Sequence, residues 1–158
     1  VTLCEHCPEQ NWFTRFMPAR RPGEGEGTWR TYWDRWAAMT TDALGLEMVE
    51  LAEELQPFAR PGQVVDKTVY SPWLKTTLHE GLQRAGVDTL VITGGETDVC
   101  VLAGVLGAVD LGYRIIVVTD AVCSSSDATH DRLLTLYADR YSLQVETAPA
   151  KAVLAAWL

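Results

Sequence analysis

From Gln63 onward, short β-branched and apolar runs alternate with longer stretches in which apolar positions recur every three or four residues. That alternation predicts parallel strands joined by crossover helices. Residues 63–67 read as a strand and residues 72–85 as a helix with Pro72 at its start. Gly86, Val87 and Asp88 form the turn that leaves it. Residues 88–93 are almost continuously apolar, as expected of a strand covered on both faces. After Gly94 and Gly95, with Thr97 or Asp98 as cap, residues 98–111 predict a largely buried helix ending at Gly112. A strand over 113–119, a helix capped by Ser124 to Ser126 and running to Arg140, an edge strand over 143–147 and a short helix over 149–157 complete the pattern. The fold class implied is a three-layer, doubly wound α/β sandwich with a mainly parallel sheet, in a single domain over residues 1–158.

The first 60 residues follow a different rhythm. Residues 18–27 hold two prolines and three glycines and read as a loop. Residues 11–16 have the aromatic and β-branched content of a short strand, while Trp29, Tyr32, Trp33 and Trp36 fall at helical spacing. Residues 1–6 resemble the end of a helix with no strand before it. Since a doubly wound sheet ordinarily starts with a central strand, the expectation is that the first strand lies upstream of Val1.

Composition narrows the function classes. The 158 residues are 47% apolar and 22% charged, with a net charge of −8. No apolar run reaches the roughly 20 residues that span a bilayer, and residues 1–8 do not resemble a signal peptide. The acidic balance disfavours nucleic acid and anionic membrane as partners. Cys4, Cys7, Cys100 and Cys123 lack the regular spacing of a disulfide framework. Free thiols and a cytoplasmic location are expected.

Two residues stand out by position. Lys67 ends one predicted strand, and Cys100 lies in the first turn of the helix that follows the next. Both therefore emerge at the carboxyl edge of the sheet, where open α/β folds bind ligands. A thiolate in a first helical turn is favoured by the macrodipole and by a neighbouring ammonium. The first N–H groups of that helix lack internal partners and could hold an oxyanion. A buried structural Cys beside a solvated Lys is the alternative that spacing alone leaves open.

The run Val91-Ile-Thr-Gly-Gly-Glu-Thr-Asp-Val-Cys100-Val, followed by Asp110-Leu-Gly-Tyr and Val117-Val-Thr-Asp-Ala, resembles the signature of isochorismatase-like cysteine hydrolases. Asp66-Lys67 lies the expected distance upstream. The resemblance implies an Asp-Lys-Cys triad, with Cys100 attacking a carbonyl or imine carbon, Lys67 stabilising the thiolate and an Asp taking the proton. It also implies a non-proline cis peptide near Gly95-Glu96 that turns the backbone N–H groups of Glu96 and Cys100 toward the oxyanion. The family Asp ends the first strand, so it is expected upstream of Val1. Asp66 is a poor substitute, because adjacent strand residues point to opposite faces. Asp34 and Asp42 are weak candidates, and Asp120 reads as a turn cap.

Nicotinamidases of this superfamily hold zinc through an Asp-x-His pair and a further His. Residues 16–21 offer nothing similar, and His6, His79 and His130 are widely separated, so neither metal nor cofactor is expected. Isochorismate hydrolysis in typical members does not use the Cys, so Cys100 favours the amidase branch. The substrate would be a small amide-, imide- or related C–N-bonded molecule, cleaved through an acyl-enzyme. Phe16, Trp29, Trp33, Tyr70 and Thr97 are expected to shape its pocket. The aromatic segment would also serve a homo-oligomeric interface, dimeric or tetrameric.

Three rival readings remain. The fold could persist as a catalytically silent binding or assembly module. Cys4-Glu-His-Cys7 resembles a thiol-disulfide oxidoreductase motif, although no preceding strand or later cis-proline loop supports it. Ser124, Ser126, Asp127, His130 and Asp131 invite a Ser-His-Asp reading, but all cluster at one helix start, where capping explains them.

Overall fold

The computed structural model describes residues 1–157. Helix α1 (Thr2–His6) leads to strand β1 (Phe13–Phe16); helices α2 (Trp29–Arg35) and α3 (Thr41–Leu44) follow, with 3-10 turns between and after them. Strand β2 (Val64–Lys67), helix α4 (Leu78–Arg84), strand β3 (Thr89–Gly95) and helix α5 (Leu102–Asp110) form the middle of the chain. Strand β4 (Arg114–Cys123), helix α6 (Asp127–Arg140), strand β5 (Val145–Ala148) and helix α7 (Ala150–Ala156) close it. Among the described residues no helix is long and apolar enough to cross a membrane.

Every ladder is parallel, as the alternation of strands and helices requires. The strands form two groups, β1-β2 and β3-β4-β5, with no ladder joining β2 to β3. This division was not legible in the periodicity, which places strands but not their neighbours. Val117 and Val118 are adjacent in β4, point to opposite faces and are both fully buried, so β4 is covered on both sides. Residues 89–92 of β3, equally apolar in sequence, are only half-buried, because β3 pairs along one edge alone.

The core gathers Val65 from β2, Leu78 and Leu82 from α4, Val105 and Ala108 from α5, Ile115, Val117 and Val122 from β4, and Tyr137 from α6. Burying each of the Val, Leu and Ile side chains contributes about 1.5–3 kcal/mol. Two aromatic rings lock helices onto this core through glycines. Trp12 lies against Gly81 of α4, and Trp73 against Gly107 of α5, where its indole N–H donates to the Gly104 carbonyl at 2.8 Å.

Several predicted boundaries move. The helix expected over 72–85 begins only at Leu78, because the Thr76 hydroxyl donates back to the Pro72 carbonyl and Lys75 has φ +57°. Strand β4 runs to Cys123 rather than stopping at 119, and β5 starts at Val145 rather than 143. Asp120 lies within β4 and accepts a hydrogen bond at 2.7 Å from the backbone N–H of Ala150. It therefore caps the start of α7 rather than the turn after its own strand.

A Cβ at position 107 would collide with the Trp73 ring. Gly107→Ala is expected to lower the unfolding free energy by about 2 kcal/mol, read from the shift of a urea denaturation midpoint at unchanged slope.

Candidate active site

The site is built at the carboxyl ends of β2 and β3. In β2, side chains alternate: Asp66 points outward to a bidentate pair with Arg15, at 2.8 and 3.0 Å, while Lys67 turns inward and is only 4% exposed. An ammonium taken out of water must have its three N–H groups satisfied. Lys67 Nζ donates to the carbonyls of Val69 at 3.2 Å and Tyr70 at 2.9 Å, and to Cys100 Sγ at 3.1 Å. It also lies 5.1 Å from the centre of the Phe16 ring, a cation–π distance. Among the described residues no carboxylate lies within salt-bridge distance of it.

The turn carrying Cys100 follows from the glycines that end β3. Gly94 has φ +101°, which residues with a Cβ rarely adopt, and the β3–β4 register shifts between Ile92 and Gly94. Gly95 runs so close to Cys123 that a Cβ there would stand 3.2 Å from its sulfur. The Gly95–Glu96 peptide bond is cis. Residues Thr97–Val101 then form one wide π-helical turn instead of the ordinary helical start expected from the sequence, the Glu96 carbonyl accepting from both Val99 at 3.1 Å and Val101 at 3.0 Å. Cys100 sits within this turn, half-buried, directly before α5.

A second layer of polar contacts holds the turn from behind. The Ser124 hydroxyl donates to Asp98 Oδ1 at 2.6 Å, and Ser124 Oγ accepts from the Asp98 backbone N–H at 3.4 Å. Hydrogen bonds from Ser124 and then Thr129 hold the Asp98 carboxyl below the ordinary aspartate range. Thr97 Oγ1 lies 2.9 Å from His130 Nδ1, and the Tyr137 hydroxyl donates to the Thr97 carbonyl at 3.4 Å. Burial pushes the Tyr137 phenol up to about 12, which keeps it a neutral donor. Of the residues that the sequence suggested as helix caps, only Ser126 caps α6, accepting from the Thr129 N–H; Ser124 and His130 instead reach across to the Cys100 turn.

The expected pocket residues separate into two groups. Phe16, Trp29 and Tyr70 are half-buried and mutually close, with Trp29 and Tyr70 ring centres 4.9 Å apart. Trp33, 4% exposed, stacks behind Phe16 at 5.9 Å and supports the wall rather than lining it. Thr97 is wholly buried, its hydroxyl engaged by His130, so it is no pocket residue. Tyr32, from the same aromatic segment, lies with them, its ring centre 5.2 Å from that of Trp29 and 6.4 Å from that of Tyr70. Burial raises its phenol above the ordinary range, reinforced by the Tyr70 hydroxyl, Cys100 and Glu96. Its i+3 spacing from Trp29 was the available signal.

The weaker candidates lie elsewhere. Asp34 and Asp42 are exposed, and Asp42 pairs with Arg20 at 3.2 Å. His79 contacts the Tyr113 hydroxyl at 2.8 Å and His6 the Trp157 carbonyl at 3.3 Å, so the three histidines are engaged singly. Among the described residues no three of His, Cys, Asp and Glu gather as a metal-binding group. Burial pushes the Cys4 thiol up, the reverse of what an attacking redox cysteine requires. The surface clefts around Tyr113 are lined by neither Lys67 nor Cys100.

A model of the isochorismatase domain matches residues 1–149. The chain belongs to the isochorismatase family. It is 30% identical to "Nicotinamidase 3" of Arabidopsis thaliana over 86 residues, covering 54% of this chain and 43% of that protein. A "Probable inactive nicotinamidase" of the same plant is 35% identical over 82 residues, 51% of this chain and 42% of that one. These matches span less than half of either relative. The solved structure of a cysteine hydrolase from Pseudomonas syringae superposes with a TM-score of 0.77 at 21% identity, covering 98% of this chain and 75% of that one. The last match shows the isochorismatase-like α/β fold.

Because the folded-state Asp98 carboxyl is held low, its hydrogen bonds contribute stability that is full above about pH 4 and is lost as pH falls through the lower folded-state value. Ser124→Ala should therefore be less stable than the wild type at neutral pH. That difference in urea denaturation should shrink as pH falls below about 4.

Proposed function

We propose that the protein is a cysteine-dependent hydrolase of a small amide- or imide-like substrate, acting through a covalent acyl-enzyme on Cys100. The observation that carries this reading is the 3.1 Å contact between the buried Lys67 ammonium and the Cys100 sulfur. A buried ammonium at that distance stabilises negative charge on sulfur more than it would in water. The curated relatives named as nicotinamidases, and a ureidoacrylate amidohydrolase of Variovorax paradoxus 40% identical over 73 residues, support the amide class.

In the proposed reaction the Cys100 thiolate adds to the substrate carbonyl carbon, and the electron pair of the C=O bond moves to oxygen. The backbone N–H groups of Glu96 and Cys100 receive that oxyanion. Collapse expels the amine, which needs a proton, and leaves a thioester that water hydrolyses. Among the described residues none matches the family's Asp, which would take the proton from the Cys100 thiol as the sulfur attacks and return it to the departing amine. Phe16, Trp29, Tyr32 and Tyr70 would form the walls for a compact, planar or apolar group.

The lack of a carboxylate beside Lys67 among the described residues favours a second reading, a catalytically silent module. The two readings diverge at the thiol. In dilute iodoacetamide at neutral pH, followed by mass spectrometry, an activated Cys100 is alkylated ahead of Cys4, Cys7 and Cys123, and Lys67→Met slows its labelling by about tenfold or more. Equal, slow labelling of all four thiols favours the silent module. In a hydrolase assay over small primary amides with the complete polypeptide, Cys100→Ala should abolish product release while Cys123→Ala leaves it nearly unchanged; residual turnover by Cys100→Ala would refute the nucleophile.

A further inference from the structure

We infer that His130 is a positioning residue for the nucleophile turn, acting through the hydroxyl of Thr97. This rests on the reading of Cys100 as nucleophile. The contact between His130 Nδ1 and Thr97 Oγ1 is 2.9 Å, and Thr97 has no exposure to solvent. A buried hydroxyl that loses its partner has no water to turn to, and leaving such a group unsatisfied costs about 1–3 kcal/mol. Thr97 opens the π-helical turn that carries Cys100, and the residue before it, Glu96, supplies one of the proposed oxyanion donors.

Three separate anchors therefore bear on two consecutive residues. His130 fixes the Thr97 side chain, Tyr137 fixes its carbonyl, and Ser124 brackets Asp98 through both side chain and backbone. His130 and Tyr137 are both in α6, seven residues and so about two turns apart, on one face of that helix. The opposite end of the wide turn is held by bonds to the Glu96 carbonyl, by burial of Val101 in the core, by the Lys67 contact to Cys100 and by the start of α5. The direction of the Cys100 side chain toward Lys67 thus depends on how firmly Thr97 is held. Its reactivity should respond to the hydrogen-bonding capacity of position 130, not merely to the bulk there.

The test compares alkylation rates of Cys100 in the full chain, with Cys7, the residue just after α1, as the internal reference. Thr97→Val, which keeps the shape and removes the hydroxyl, and His130→Leu should each slow Cys100 by about tenfold, the equivalent of one lost buried hydrogen bond, while Cys7 is unchanged. His130→Asn, whose amide oxygen can take the place of Nδ1, should restore a rate within about twofold of wild type. The inference is overturned if Thr97→Val and His130→Leu leave Cys100 at the wild-type rate. It is equally overturned if Cys7 accelerates in parallel, which marks general loosening, or if His130→Asn is as slow as His130→Leu. Should His130→Leu fail to fold, Thr97→Val and His130→Asn carry the comparison. A wild-type Cys100 no faster than Cys7 would instead remove the nucleophile reading itself.

Discussion

A lysine ammonium placed 4% exposed at the end of a strand is the constraint around which this molecule is arranged. Removing that charge from water costs several kcal/mol unless each N–H finds an acceptor. Two acceptors are local, the Val69 and Tyr70 carbonyls, and they force the chain after β2 to curl back over the ammonium. The third is the sulfur of Cys100, thirty-three residues away. Lys67 thereby connects the β1-β2 pair to the β3-β4-β5 group across an edge where no main-chain ladder does so. The same bond that satisfies a buried charge brings a thiol and a cation together.

The aromatic cluster follows from that placement. Phe16, next to Lys67 in the parallel β1–β2 register, offers its ring to the ammonium at 5.1 Å. Trp33 stacks behind Phe16, while Trp29 and Tyr32 close on Tyr70, whose carbonyl already holds Lys67. A helix with aromatics around more than one face must bury them, and here the ring faces also lower the polarity around the ammonium and the thiol. Packing and electrostatics serve one end in this segment. The following stretch leaves Trp36, Met39, Leu46 and Met48 exposed and is tied down mainly by backbone bonds from Thr41 and Asp42 to Ala19 and Arg20.

On the far side of the sulfur the demand is for direction. Gly94 and Gly95 allow the backbone to reverse between β3 and the π-helical turn, but glycine supplies freedom, not orientation. Orientation comes from α6, through His130 and Tyr137, and from the end of β4, through Ser124. Strand β4 can do this because it runs the full length of the sheet group and pairs with Gly95 at Cys123.

Much of this was written locally. The β-branched runs fixed strands β2 to β5, since period and apolar content act over a few residues and need no partner. Lys67 and Cys100 could be read as neighbours because each is tied to the carboxyl end of a strand, and parallel strands bring those ends to one edge. Other features had no local signal. Whether Ser124 and His130 would cap their own helix or reach across to residues 97 and 98 was decided by which partner stood within hydrogen-bond distance after α6 had packed. Whether Thr97 and Trp33 would meet a ligand or disappear into the interior depended likewise on neighbours from distant segments. So did the absence of a ladder between β2 and β3, which no strand's own sequence encodes. Sequence by itself determined the elements and the chemical candidates, because propensity and periodicity are short-ranged; tertiary structure alone decided which candidates became partners, because burial and hydrogen bonding depend on what packing places alongside.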